Sequence, residues 1–238
     1  MTNYNSFAKF YDAVMGNRSL EYKIVKDLIL KYHQKSEKVL EIGCGTGSIL
    51  EKLSRKYQVC GIDISKEMLN IAKKKMPHIR LFRQDMTKFV ILEKFDVILC
   101  LFDSINHLIN YEDWKKVFLN TKKHLKDSGI FIFDINTEDK LMNLSKTPPI
   151  IKRFDKGYMI MDIRKEKKEI TNWNIKIFER KKEDLYKLHI ENIKEKSFPV
   201  ERIIKTLKEI YSKIYVFDQK QKKPSKRTGR IYFVCVKK

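Results

Sequence analysis

Three closely spaced glycines stand where a backbone could approach a ligand. The stretch EIGCGTG at 41–47 places Gly43, Gly45 and Gly47 directly after an apolar run. Glycine is costly in regular structure, so this cluster predicts a turn whose N–H groups face a ligand. A G-x-G-x-x-G dinucleotide fingerprint would need glycine at 48, where the chain has Ser48. The spacing therefore favours a different ligand from a dinucleotide.

Three carboxylates, like the glycines, stand at or near the ends of apolar runs. Glu41 stands beside the glycine turn, where it would repel a pyrophosphate but suits a cation or an amine. Asp63 ends the next apolar run, GIDIS, and can accept both hydroxyls of a ribose. Asp85, in RQDM, can accept from an exocyclic amine such as that of adenine. A ligand with an adenosine and an amino-acid end fits all three.

The elements that would position these residues alternate along the first 136 residues. Helical periodicity covers 20–33, 47–57, 65–76 and 111–125, with Ser65 as an N-cap and Gly129 as a C-cap. Apolar strands are predicted at KVLEIG, QVCGIDI, IRLFRQD, FDVILCLF and GIFIFDIN. Five buried strands separated by helices predict a doubly wound, parallel α/β sheet.

The pattern changes after residue 145. The segment 157–196 alternates apolar and charged residues, which predicts two to four antiparallel strands with one solvated face. After Pro199 a helix is predicted at VERIIKTLKEI, and two strands at SKIYVFD and RIYFVCVKK. The whole chain is thus predicted to form a mostly parallel seven-stranded sheet with an inserted antiparallel sheet.

The charge is large but diffuse. The 238 residues carry net +21, with 41 Lys and only 10 Arg. Residues 1–150 have 25 basic and 18 acidic side chains (net +7), and 151–238 have 26 and 12 (net +14). Because arginine is the usual reader of bases and phosphates, we attribute the excess to a general enrichment in lysine. A nucleic-acid footprint on the C-terminal part is the alternative.

Nothing in the sequence predicts secretion, a membrane span or a metal. There is no signal-peptide pattern and no run of about 18 uncharged apolar residues. The four cysteines are widely spaced, without metal-ligand spacing, and Cys60, Cys100 and Cys235 stand in apolar runs as reduced core residues. We expect a cytoplasmic protein without a membrane partner.

The motifs EIGCGTG, GIDIS, RQDMTKF and FDVILCLFDSINHL, in this order, resemble those of the class I S-adenosylmethionine-dependent methyltransferases. SFAKFYDAVMGN and LFDSINHL resemble the branch with the sugar N,N-dimethyltransferases and the glycine and sarcosine methyltransferases. The resemblance implies a Rossmann-like methyltransferase fold. It implies a cofactor-binding domain at 1–146 and 197–238, and an antiparallel β lid over the acceptor site at 147–196.

The resemblance also implies which residues contact S-adenosylmethionine. The glycine turn passes beneath the methionine part, and Asp63 holds the ribose. The adenine is flanked by Ile64 and Met68, and Asp85 reads its edge. The full implied set is Tyr11, Arg18, Glu41, Gly43, Gly45, Gly47, Asp63, Ile64, Met68, Asp85, Met86, Leu101 and Phe102.

Catalysis is predicted to need little beyond alignment. An acceptor amine or hydroxyl would attack the methyl group in line, with His107 or Asp103 as the nearest polar group and no metal. Trp173 and Tyr158, in the insertion, would line the acceptor pocket.

Two other functions stay open. An RNA methyltransferase could hold phosphates on the basic C-terminal part, although the N/D-P-P-Y/F signature of base amine methylation is replaced by LFDS. A non-enzymatic cofactor-binding protein could keep the same fold. Our prediction is a methyltransferase with a small-molecule acceptor, as a monomer or homodimer.

Overall fold

The computed structural model describes residues 6–238, so the first five residues of the predicted cofactor-binding part lie outside it. The helices are α1 (Tyr11–Met15), α2 (Ser19–Tyr32), α3 (Ser48–Leu53), α4 (Lys66–Lys75), α5 (Tyr111–His124), α6 (Glu138–Leu144) and α7 (Val200–Ile210). The strands are β1 (Lys38–Ile42), β2 (Gln58–Asp63), β3 (Arg80–Arg83), β4 (Phe95–Cys100), β5 (Leu125–Asn136), β6 (Ile150–Phe154), β7 (Gly157–Lys165), β8 (Thr171–Arg180), β9 (Tyr186–Glu195), β10 (Lys213–Phe217) and β11 (Arg230–Val236).

Seven strands form the main sheet, in the order β10-β11-β5-β4-β1-β2-β3. The pairs among β1 to β5 are parallel, and β11 runs antiparallel to both β5 and β10. The predicted doubly wound, mostly parallel sheet is confirmed. Its strand order reverses between β1 and β4, and ligands of open α/β sheets bind at the carboxyl ends of the strands at such a point.

Helices cover both faces of this sheet because the strand side chains alternate between two cores. On one face Leu40 and Ile98 pack with Trp114 of α5 and other residues from α5 and α7. On the other face Val39 and Val97 pack with residues of α2, α3 and α4. Burial on both faces explains why the parallel strands are nearly continuous apolar runs.

The second sheet is antiparallel, in the order β6-β7-β8-β9. Its inward side chains, such as Ile175 and Ile193, form a third core with Phe7 and Phe10 from the segment before α1. The N-terminal segment therefore packs its side chains against this sheet. The predicted antiparallel insertion is confirmed.

Three local predictions need correction. Strand β6 begins at Ile150, before the alternating segment used for the prediction. Helix α3 ends at Leu53 rather than at 57. Gly129 is not a helix C-cap: it lies inside β5, where the register against β4 shifts and Ser128, with φ of 63°, takes the left-handed conformation. A register shift depends on the neighbouring strand, so no local pattern predicts it.

The prediction for Cys60, Cys100 and Cys235 agrees with the structure, in which all three are buried and free of disulfides. Cys44 is buried and free as well. No helix within the described residues is long and apolar enough to span a bilayer.

Candidate cofactor and acceptor site

The glycine turn after β1 adopts backbone angles that need glycine. Gly43, Gly45 and Gly47 have φ of 68°, 53° and 76°. A Cβ on Gly45 would meet no atom within 4 Å, whereas a Cβ on Gly47 would lie 2.2 Å from Met76 Cε of the loop after α4. Gly45 therefore leaves open space at the cavity described next. Gly43 allows Ser104 to approach closely, because a Cβ there would lie 3.0 Å from Ser104 Cβ, and Gly47 allows the turn to pack on α4 and the loop after it.

Asp63, at the end of β2, is tied to this turn. Its Oδ2 accepts from the Gly45 N–H at 2.7 Å, and its Oδ1 accepts from the Ser65 N–H at 2.8 Å. Burial raises the pKa of Asp63, and these N–H donors lower it in part. Each carboxylate oxygen keeps a second lone pair, as binding a diol requires.

A first cavity of about 780 Å³ opens over these residues. It brings together the residues expected around an adenosine, together with His107. Asp85 is fixed in this wall because its Oδ1 accepts from Thr87 N at 2.9 Å and from Thr87 Oγ1 at 2.8 Å. The predicted residues in the wall are Tyr11, Gly43, Gly45, Asp63, Ile64, Met68, Asp85, Met86, Phe102 and His107.

A second cavity, of about 320 Å³, continues from the first and is lined by Arg18 and Glu41. Glu41 Oε2 and Arg18 Nη2 are buried without a hydrogen-bond partner among residues 6–238. Burial, followed by the charges of Asp63 and Asp134, raises the pKa of Glu41 well above its usual range. A buried acceptor and a buried donor without partners fit the ammonium and carboxylate of an amino acid.

A third cavity, of about 930 Å³, lies between the loop after β4 and the antiparallel sheet. Trp173, which was predicted to line the acceptor pocket, lies in the wall of this cavity. The prediction for Tyr158 is wrong, because side chains alternate along β7 and Tyr158 stacks on Phe178 on the face opposite Met159. Tyr11 and Phe102 line all three cavities.

The loop after β4 is held by a buried charge cluster. Phe102 and Asp103, with φ of 56° and 54°, donate their N–H groups to Asp134 at 2.7 and 3.1 Å. Arg230 Nη1 lies 2.6 Å from Asp134, and Arg230 Nη2 pairs with Asp103. Burial raises the pKa of Asp134 to about 6, although Arg230 opposes the rise. Asp134 and Arg230 were not predicted from the sequence. Their only signals were the position of Asp134 near the end of β5 and that of Arg230 at the start of β11.

The two polar groups predicted near the reaction lie in different cavities. Asp103 lines the third cavity and is paired with Arg230. His107 lines the first cavity, and burial lowers its pKa, which favours the neutral imidazole at pH 7. The side chain of Leu101 packs in the core, only 2% exposed, so it does not stand beside the cavities.

A third residue that was not predicted from the sequence, Asp12, holds the N-terminal segment over the site. Its Oδ1 accepts from Thr46 Oγ1 at 2.6 Å and from Ser48 Oγ at 3.2 Å, and its Oδ2 lies 2.5 Å from Lys75 Nζ. The neighbouring Tyr11 is thereby kept in the cavity wall, where burial raises its pKa to about 12.

Comparison with known proteins identifies the class that this fold and site define. A family model described as a methyltransferase domain matches residues 39–129. The chain is 30% identical to an S-adenosylmethionine-dependent methyltransferase from Clostridium acetobutylicum, covering 98% of both chains with a TM-score of 0.85. It therefore belongs to the class I S-adenosylmethionine-dependent methyltransferases, and its cofactor is S-adenosylmethionine.

Two curated relatives match between half and three fifths of this chain. A putative methyltransferase of Geobacillus sp. (strain WCH70) is 30% identical over 58% of this chain and 59% of its own. A dTDP-4-amino-2,3,4,6-tetradeoxy-D-glucose N,N-dimethyltransferase of Saccharopolyspora spinosa is 28% identical over 53% of both chains. The chain thus spans between half and three fifths of the length of these relatives.

Proposed function

We propose that this protein transfers a methyl group from S-adenosylmethionine to an amine or hydroxyl of a small-molecule acceptor. When bound, the cofactor supplies a methyl group on an electrophilic sulfonium, which a nucleophile in line with the carbon–sulfur bond can displace directly. The observation that carries the proposal is the meeting of three cavities at Tyr11 and Phe102. Two of these cavities fit the two ends of the cofactor, and the third is left for an acceptor.

Each cavity has its own role in this proposal. In the first, Asp63 accepts the ribose hydroxyls, and Ile64, Met68, Asp85 and Met86 enclose the adenine. In the second, Glu41 accepts from the amino group of the methionine part while Arg18 donates to its carboxylate. Tyr11 and Phe102 separate the reacting centre from solvent.

A small acceptor is favoured by the third cavity and by one relative. The cavity lies under the antiparallel sheet, which gives it a wall rather than an open groove. The S. spinosa relative is named for an amino-sugar substrate. The four buried free cysteines also suit a reducing compartment, in line with the predicted cytoplasmic location. A monomer or homodimer stays a prediction.

The direct test is transfer of a labelled methyl group. The protein is incubated with methyl-labelled S-adenosylmethionine and, separately, with pools of small metabolites, total tRNA and total protein. We expect label to enter the small-metabolite pool. Label in tRNA, together with an RNA complex that survives about 200 mM salt, would replace this proposal with the RNA alternative.

The role of His107 can be tested once an acceptor is known. If the neutral imidazole takes the acceptor's proton, His107→Ala should lower kcat by about 100-fold or more. In the wild type, burial holds the pKa of His107 below its usual 6.5, so activity should fall only below that pH. His33→Ala, outside the three cavities, is the control. A loss confined to KM would contradict the proton-transfer role and leave His107 as a wall residue.

A further inference from the structure

Asp134 fixes an unusual backbone conformation in the loop after β4. Phe102 and Asp103 have φ of 56° and 54°, which is the left-handed region and is strained for a bulky residue such as Phe102. Asp134, near the end of β5 and only 1% exposed, accepts the N–H groups of these two residues, one on each carboxylate oxygen, at 2.7 and 3.1 Å. Two hydrogen bonds to a charged acceptor thus hold the strained turn.

At neutral pH the charge of Asp134 works against stability. Burial raises the pKa of Asp134 to about 6, although the charge of Arg230 opposes the rise. An acid whose pKa is raised by folding destabilises the folded state once it ionises. Strained backbone that is held by such a group marks a candidate functional position. Asp134 lies outside the walls of the three cavities, so it would act on a ligand only through the residues that it holds.

The ring of Phe102 connects this turn to Arg18. The Arg18 guanidinium lies over the ring, with its Cζ 4.4 Å from the ring centroid, which is a cation–π contact. Glu21 gives weaker support, because its Oε1 lies 3.5 Å from Arg18 Nη1. Arg18 and Phe102 both line the second cavity, where Arg18 Nη2 is the buried donor described above. The position of the Phe102 ring therefore sets the position of that donor.

We propose that Asp134 is a positioning residue for the cofactor, because through Phe102 it fixes Arg18 where the guanidinium meets the carboxylate of the methionine part. The inference rests on the proposed function, which assigns Arg18 to that carboxylate. Without the carboxylate of Asp134 the strained turn can relax, and the Phe102 ring no longer supports Arg18. The adenosine part, held by Asp63 and Asp85, should be affected little.

Two ligands that differ in the amino-acid part test this inference. 5′-Methylthioadenosine has the adenosine and the sulfur of S-adenosylhomocysteine but lacks its carboxylate and its amino group. In calorimetry, the wild type should bind S-adenosylhomocysteine about 100-fold more tightly, as two charged hydrogen-bonding groups allow. Asp134→Asn should weaken S-adenosylhomocysteine binding by about tenfold, the effect of a displaced charged donor, and change methylthioadenosine binding by less than about twofold.

Asp96→Asn is the matched control. Asp96 is also buried, its Oδ2 accepts the N–H groups of Glu37 and Lys38 at 3.0 and 2.8 Å, and its Oδ1 pairs with Lys126 at 2.8 Å. It stands near the start of β4, at the end of the sheet opposite the cavities. This variant removes an equivalent buried charge, and it should keep the preference for S-adenosylhomocysteine.

Two further variants test the path of contacts. Phe102→Leu, which removes the ring and leaves Asp134 in place, should show the same selective loss, and it keeps the test valid if Asp134→Asn does not fold. Arg18→Met should lose at least as much affinity for S-adenosylhomocysteine as Asp134→Asn. Adding Asp134→Asn to Arg18→Met should then cost less than about twofold more, because both changes remove one contact.

Three results would overturn the inference: an unchanged preference in Asp134→Asn or Phe102→Leu, an equal loss for both ligands, or additive losses in the double variant. In each case a wild type that still prefers S-adenosylhomocysteine leaves the proposed function intact. If the wild type binds both ligands equally well, the proposed role of the second cavity fails together with the role of Asp134.

Discussion

Gly45→Ala should weaken the binding of S-adenosylhomocysteine by about 100-fold or more while the protein stays folded. The added Cβ meets no protein atom within 4 Å, so it would occupy the space that joins the first two cavities. It would also disturb the Gly45 N–H that donates to Asp63 at 2.7 Å. Overpacking and a weakened charged hydrogen bond each cost about 1–3 kcal/mol, which together give this factor.

Gly16→Ala separates this effect from backbone strain. Gly16 has φ of 69°, and a Cβ there would also meet nothing within 4 Å, but the residue lines none of the three cavities. Both variants should lose stability because alanine is strained at positive φ: Gly45→Ala by about 1–2 kcal/mol. Gly16→Ala should lose about 1–3 kcal/mol, because ψ of −164° puts Gly16 in a region almost confined to glycine. Calorimetry should show lost affinity only in Gly45→Ala. Equal affinity in the two variants would contradict a cofactor site at this turn.

Arg230→Met should reduce the free energy of unfolding by about 3–5 kcal/mol at pH 8, the cost of leaving buried charges without their partner. Asp103 and Asp134 both pair with Arg230, whose side chain is 15% exposed. The loss should be smaller at pH 4. The folded-state pKa of Asp134 is about 6, above its usual 3.8, so its destabilising effect appears as pH rises through this window. Removing Arg230 should enlarge that effect.

Denaturant unfolding at pH 4 and pH 8 measures both effects. Arg227→Met, an arginine in the loop before β11, should change stability little, as most surface substitutions do. Adding Asp134→Asn to Arg230→Met should restore part of the loss by removing an unpaired charge. An equal loss at both pH values would show that packing, and not charge pairing, explains the contribution of Arg230.

Much of the fold could be predicted because helix caps and hydrophobic periodicity depend on residues close together in the sequence. Helix α7 begins and ends at the predicted residues, 200 and 210, since an amphipathic run follows Pro199. Ser65 caps α4 as expected, accepting from the Met68 N–H. Each of these features depends on residues within a few positions of one another. The register shift at Gly129 and the start of β6 depend on partner strands, and the prediction was wrong there.

For the site, the sequence by itself determined the glycine turn and the carboxylate at the end of β2. These residues stand at strand ends, and parallel strands bring those ends to one edge of the sheet. Only the tertiary structure decided which polar groups surround the third cavity. Arg230 meets Asp103, 127 residues earlier, because β11 enters the sheet beside β5. Glu195, at the end of β9, lines the same cavity from the antiparallel sheet. Side chains so distant in the chain share no local sequence pattern. Their ionisation depends on burial, which only tertiary packing creates.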